Sequence, residues 1–209
     1  MAVYAGKAVV VTGASQGIGE AIALDLAAEG ATVILVDVQK EKLEAVARAV
    51  AAAGGRADVQ VADVGDAARA REVADAVVAA HGRIDHLVNN AGITRDGLLM
   101  RMREEDWDAV LKVNLKGIFN YSKAVVRTML SARYGRIVNI ASVAGTFTGE
   151  GGHGSSERAL AGSALHKSVR WAARALALAA DEEQITVGGK RGIRFNLGVL
   201  AGGVKSNMI

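Results

Sequence analysis

Cysteine is absent from this 209-residue chain, which rules out disulfides, thiolate nucleophiles and Cys-ligated metal sites. Proline is absent too, where ordinary usage of about 5% would give roughly ten. Chance explains that shortfall poorly, and an altered sequence fits it better. Aromatic residues make up only 4%, and the net charge of +3 comes from cations interleaved with acids. With neither a basic stripe nor stacking aromatics, a nucleic-acid partner is not expected. No apolar run approaches the roughly 18 residues of a membrane span, so no membrane partner is expected either. The N-terminal MAVYAGKAVVVTG runs straight into a strand without a signal-peptide cleavage pattern, and a cytoplasmic location is the expectation. The four histidines, His81, His86, His153 and His166, lack metal-site spacing, so no metal is expected. His81 and His86 flank a strand and read as surface residues.

What the chain does have is a 51% apolar share, built mainly from Ala and Val. Short apolar runs alternate with helical stretches over the first 142 residues. Lys7–Thr12, Thr32–Val36, Asp58–Ala62, Asp85–Asn89 and Arg136–Ala141 read as strands. Gly17–Glu29, Lys40–Ala53, Asp66–Ala80 and a long Asp106–Ala132 read as helices, several closed by glycine. Helices of this length between strands require parallel pairing, and the near-continuous Val/Ile/Leu strands require cover on both faces. The expected fold is α/β, a doubly wound parallel sheet of Rossmann-like type. One domain over 1–209 is expected, with ligands beyond the carboxyl ends of the strands.

The loop Thr12-Gly13-Ala14-Ser15-Gln16-Gly17-Ile18-Gly19 follows the first strand and opens the first helix. Glycines allow a tight turn and close backbone approach to a diphosphate, and the helix start offers free N–H groups and a favourable dipole. Gly13, Ser15, Gln16, Gly17, Ile18 and Gly19 are therefore candidate cofactor ligands. Asp37 ends the second strand, 18 residues past Gly19. An acid there accepts hydrogen bonds from ribose hydroxyls and repels a 2′-phosphate, which favours NAD over NADP as the cofactor. Nearby Lys40 weakens that preference.

With Asp63-Val64 after the third strand and Asn89-Asn90-Ala91-Gly92 after the fourth, the pattern resembles the short-chain dehydrogenase/reductase family. The stretch GITRDGLLMRMREEDWDAVLKVNLKGIFN is most similar to its 3-oxoacyl-carrier-protein reductases. The resemblance covers residues 6 to about 145, the nucleotide-binding half, and leaves 146–209 divergent. It implies that Asp63 and Val64 flank the adenine and that Asn90, Ala91 and Gly92 steady the sheet edge beside the cofactor. It further implies catalytic roles for Asn114 and Ser142, and hydride transfer between nicotinamide and a carbonyl or alcohol, such as an acyl thioester. Association as a homodimer or homotetramer through the fourth and fifth helices is also implied.

The family's Tyr-x-x-x-Lys pair, in which the phenol handles the proton and the lysine lowers its pKa, is not in its place. By the usual spacing from the Ser, the Tyr position falls on Ser155 and the Lys position on Ala159. A second alignment, through Ser163-Ala164-Leu165-His166-Lys167, restores Lys167 but again puts Ser where Tyr belongs. A serine hydroxyl is far less acidic than a phenol of pKa about 10, and losing the acid removes a factor of roughly 10²–10⁴. Tyr4, Tyr121 and Tyr134 lie elsewhere in the pattern, and His153 and His166 read as a loop and a helix-surface residue.

The last stretch is also distinct in charge, with eight Lys or Arg against three acids from Arg158 to Ile209. A Gly-rich loop at Thr146–Ser156 and a helix over Arg158–Ala180 are expected. Two endings compete. In one, Ile193–Met208 holds the sixth strand and its following loop. In the other, Gln184–Val187 is the sixth strand and Val199–Gly203 the end of a seventh. The second completes the sheet and is preferred here. The leading expectation is an NAD(P)-linked short-chain reductase with impaired turnover. A non-catalytic dinucleotide-binding or assembly module, or an altered scaffold of the family, stands beside it.

Overall fold

The computed structural model describes residues 2–95, 99–142, 186–187, 190–191 and 194–200. Strand β1 (Ala8–Thr12) is buried at every position and lies in the middle of the sheet. It is followed by α1 (Gly17–Ala28), β2 (Thr32–Asp37), α2 (Lys40–Ala52), β3 (Arg56–Val61), α3 (Ala67–His81) and β4 (His86–Asn89). Then come α4 (Glu104–Val110), α5 (Gly117–Ala132), β5 (Arg136–Ser142), β6 (Thr186–Val187), β7 (Lys190–Arg191) and β8 (Arg194–Leu200).

Six strands form one sheet in the order β3-β2-β1-β4-β5-β8, and every pairing in it is parallel. Alternation along β1 sends Val9 and Val11 to one face, where they meet Ile22 and Leu26 of α1 and Leu43 and Val46 of α2. Ala8 and Val10 face the other layer, with Val73 and Val77 of α3 and Val125 and Met129 of α5. The chain winds outward from β1 to β3, returns, and winds the other way from β4. The crevice at that reversal lies between the carboxyl ends of β1 and β4, where doubly wound sheets bind ligands.

Three expectations need correction. The strand at 184–187 is not the sixth strand of the sheet. Arg194–Leu200 pairs with β5 along seven residues, from Arg136↔Arg194 to Ser142↔Leu200, and takes that place. Thr186–Val187 instead forms a short antiparallel pair with Lys190–Arg191, the only pairing open to strands two residues apart. Length decides between them, since a two-residue strand cannot match the ladder that β5 offers.

The expected helix 106–132 is not uniform either. It begins at Glu104, and Leu111–Lys116 is a π-helical stretch between α4 and α5. Three successive residues there are held on different sides: Lys112 by Asp63, Val113 against the core, and Asn114 by Ile93. The wider turn satisfies all three, and such turns favour functional sites.

His86 is not at the surface. It is buried at 2% exposure between the rings of Tyr4 and Tyr134, at centroid distances of 5.7 and 5.8 Å. Its Nδ1 has no hydrogen-bond partner among the described residues. Burial pushes the imidazole pKa down to about 4, against the pull of Asp85 and with the help of Lys7, Arg136 and Arg83. Asp85 itself is buried, accepting from the Ala8 amide at 2.9 Å and from Nε and Nη2 of the Arg83 guanidinium. This cluster sits at the amino ends of the strands, opposite the crevice.

Candidate functional site: a crevice at the carboxyl edge of the sheet

The loop from β1 to α1 turns at Gly13 and Gly17, with φ of 66° and 61°, where a side chain would be strained. The two glycines differ in surroundings. A methyl group at Gly13 would meet Ala91 Cα at 2.7 Å, so the loop lies flat on the turn after β4. A methyl group at Gly17 would meet nothing within 4 Å, so its outer side is open. The start of α1 has no side-chain cap, which leaves its first amides to an external acceptor. At Gly19 an added methyl would fall directly on the Gly13 carbonyl oxygen, so that glycine permits the contact of helix with strand end.

Thr12 joins the two sides of the crevice. Its Oγ1 accepts from the Asn90 amide at 3.0 Å and the Ala91 amide at 3.1 Å. Asn90 Nδ2 donates back to the carbonyls of Thr12 and Gly13, at 3.1 and 3.2 Å. Thr12 was not among the expected site residues, although it stands first in the loop motif. Asn89 adds a further polar tie through Nδ2 to Asn139 Oδ1 at 2.8 Å, linking β4 to β5.

On the β2 side, Asp37 Oδ1 accepts from the amides of Val38 and Gln39, at 2.7 and 3.1 Å, which fixes the carboxylate at the strand end. After β3, Asp63 Oδ1 accepts from the Gly65 amide at 2.8 Å and Oδ2 accepts from Lys112 Nζ at 2.7 Å. The Lys112 hydrogen bond, aided by the Gly65 amide, holds the Asp63 carboxyl below its usual value. Its neighbour Val64 faces inward, buried beside Gly117, and its carbonyl accepts from Asn120 Nδ2 at 2.9 Å.

Asn114 clamps the segment that leaves Gly92. Its Oδ1 accepts from the Ile93 amide and its Nδ2 donates to the Ile93 carbonyl, both at 2.9 Å. Ser142 ends β5 two strands from β1, on the same edge. The crevice therefore brings together Gly13, Ser15, Gln16, Gly17, Ile18, Gly19, Asp37, Asn90, Ala91 and Gly92, with Asp63, Asn114 and Ser142 at strand ends or clamps along the same edge. Ser155, Ser163, Lys167, His153 and His166 lie outside the described residues, as do the expected loop 146–156 and helix 158–180. Of the tyrosines, Tyr4 and Tyr134 stand at the opposite edge beside His86. Tyr121 is sealed in the core, where burial raises its phenol above the ordinary range.

Strand order, switch-point crevice and glycine loop define a doubly wound sheet of the dinucleotide-binding class. A family model for the short chain dehydrogenase matches residues 7–187, and the chain belongs to that family. The chain is similar to the 3-oxoacyl-(acyl-carrier-protein) reductase FabG of Thermotoga maritima, 51% identical over 146 residues, covering 70% of this chain and 59% of that protein. The Escherichia coli K12 FabG is 45% identical over 159 residues, covering 76% and 64%. The chain thus spans about three fifths of the length of these curated relatives. Among solved structures it resembles a metagenomic short-chain oxidoreductase in complex with NADP, at 36% identity and TM-score 0.72, covering 94% of this chain and 83% of that one. Carveol dehydrogenase from Mycobacterium avium, in complex with NAD, is 32% identical with TM-score 0.66, covering 69% and 57%. Among the described residues no helix is long and apolar enough to cross a membrane.

Proposed function

We propose that the chain is an NAD(P)-dependent oxidoreductase that acts on a carbonyl or alcohol, with 3-oxoacyl thioesters as the favoured substrate class. The observation that carries this is the open outer side of Gly17 above the uncapped start of α1, at the switch point of the sheet. Gly13, Ser15, Gln16, Gly17, Ile18 and Gly19 would hold the diphosphate, and Asp37 the adenosine ribose. Asp63 and the backbone of Val64 would border the adenine, and Asn90, Ala91 and Gly92 would form the floor. The chemistry that a nicotinamide dinucleotide supplies when bound is reversible hydride transfer. The protein's share is position and one proton. Asn114 holds the Ile93 backbone in place, and Ser142 is suited to hold a substrate oxygen at the end of β5. The kinship with FabG proteins supports the substrate class.

We infer further that turnover is weak, because serine stands at both positions, Ser155 and Ser163, where the family's tyrosine would align. Lys167 is the lysine that one of those alignments supplies. Fluorescence titration with NADH is expected to show saturable binding, while the rate with acetoacetyl thioesters falls short of a tyrosine-bearing enzyme by roughly 10²–10⁴. No NADH binding by folded protein would remove the functional assignment. A fast, saturable rate that survives Ser155→Ala and Ser163→Ala together would remove the impairment.

The stretch from α4 through the π-helical turn into α5 carries Trp107, Leu111, Leu115 and Phe119 at four-residue spacing, between 40% and 65% exposed. So regular an apolar stripe suits a second copy of the chain, as a homodimer or homotetramer. Light scattering is expected to give at least twice the mass of one chain, with Leu115→Glu lowering it. A monomeric parent protein would refute the assignment of this face.

A further inference from the structure

Packing holds α5 against the sheet from Gly117 onward, but neither α4 nor the π-helical turn Leu111–Lys116 before it has a buried residue. Val113 touches the core only in part. The position of the turn therefore depends on individual side-chain ties. Lys112 supplies a charged one, its Nζ donating to Asp63 Oδ2 at 2.7 Å across 49 residues of sequence. Its stem lies on Gly65, where an added methyl would fall on Lys112 Cε and 2.6 Å from Cγ. Asp63 is in turn fixed from behind, since its Oδ1 accepts from the Gly65 amide at 2.8 Å. Two residues past Lys112, Asn114 makes its two bonds to Ile93 from an exposed position. One turn thus joins the loop after β3 to the segment after β4.

Resting on the functional reading above, we propose that Lys112 is a positioning residue: as a strut to Asp63, it holds the turn at the spacing at which Asn114 grips Ile93. The residue acts through Asn114, not on a reacting atom. Removal of the strut leaves the turn to the partial packing of Val113 and to the clamp itself. An exposed clamp has water as a ready competitor for both of its bonds. A hydrogen bond between ionised groups suits the task, being stronger than the neutral pair it supports. Solvent limits its worth. The Lys112 and Asp63 side chains are 53% and 41% exposed, and a pair so placed shifts an equilibrium by up to about fivefold.

The test reads hydrogen exchange at the Ile93 amide, which is protected while it donates to Asn114. It compares the parent with Lys112→Met, Lys112→Arg, Asp63→Asn and a variant carrying both Lys112→Met and Asp63→Asn. Lys112→Met is expected to speed exchange at Ile93 about fourfold. The Asn90 amide, held on the same segment by Thr12 Oγ1, should keep its parent rate. Lys112→Arg retains the cation and should retain the parent rate at Ile93. Asp63→Asn should match Lys112→Met, with nothing added when the two are combined. Added salt should speed Ile93 exchange in the parent and not in Lys112→Met, because the pair faces solvent. An unchanged Ile93 rate, equal acceleration at Asn90, or no rescue by arginine would each overturn the strut. At saturating NADH, kcat with acetoacetyl thioesters is expected to fall in Lys112→Met by the factor seen at Ile93. A level kcat beside faster exchange would overturn the positioning role. A parent that binds no NADH would overturn the dinucleotide reading, while exchange at Ile93 would still decide the strut.

Discussion

Gly19→Ala is expected to destabilise the chain by about 3 kcal/mol and to abolish measurable dinucleotide binding at the same time. The added methyl has no room: it would sit on the Gly13 carbonyl oxygen and 2.6 Å from Asn90 Nδ2. Both are backbone or backbone-tied groups, held by the Thr12–Asn90 bonds, so neither can step aside cheaply. Helix α1 would have to withdraw from β1, taking its first amides with it. In a chain of this size that cost corresponds to a fall in Tm of roughly 6–12 °C. Gly17→Ala is the informative companion. Its methyl meets no atom, so only the left-handed backbone is strained, at about 1–2 kcal/mol. Its affinity loss should exceed its stability loss in free-energy terms, because the methyl occupies the open side where the diphosphate is proposed to lie. Thermal melts and NADH titrations on both variants check the contrast, and equal behaviour of the two would contradict the packing described for Gly19.

The second large effect concerns acid. His86 is buried neutral, with a pKa of about 4, while an unfolded chain would return it to about 6.5. Protonation therefore favours the unfolded state. The neutral imidazole's contribution is fully present above about pH 6.5 and is lost as the pH falls through the interval down to about 4, to a total of about 3 kcal/mol. His86→Phe keeps an aromatic ring between Tyr4 and Tyr134 and removes the titrating group. Urea unfolding between pH 8 and pH 4 is expected to show a steeper loss for the parent than for the variant. Carboxylates elsewhere act equally on both, so the difference isolates the histidine. Parallel curves would show that His86 titrates normally.

The alternation of Val/Ile/Leu runs with helical stretches made the parallel sheet legible in the sequence, because burial on both faces leaves a continuous apolar strand. The glycine loop, Asp37 and the Asn-Asn-Ala-Gly turn were legible for a related reason. Their side chains, or lack of them, serve backbone geometry that few other residues allow. What escaped was set by distant partners. His86 begins a short strand and reads as a polar flank, until Tyr4 and Tyr134 close over it from separate segments. The widened turn at Leu111–Lys116 follows no periodicity, because it answers to Asp63, the core and Ile93 at once. The tie between Lys42 and Gln16 required knowing that α2 folds back onto the glycine loop. At the last strand, ladder length outweighs completion of the sheet by Gln184–Val187: among the described residues, Arg194–Leu200 runs beside all of β5.

The Thr12 hydroxyl has a consequence for how a guest enters. By accepting from the amides of Asn90 and Ala91, just past the end of β4, it pins the carboxyl end of β1 to the turn that follows its neighbour. A guest at this edge would meet backbone already tied in place, with less freedom left to lose on arrival.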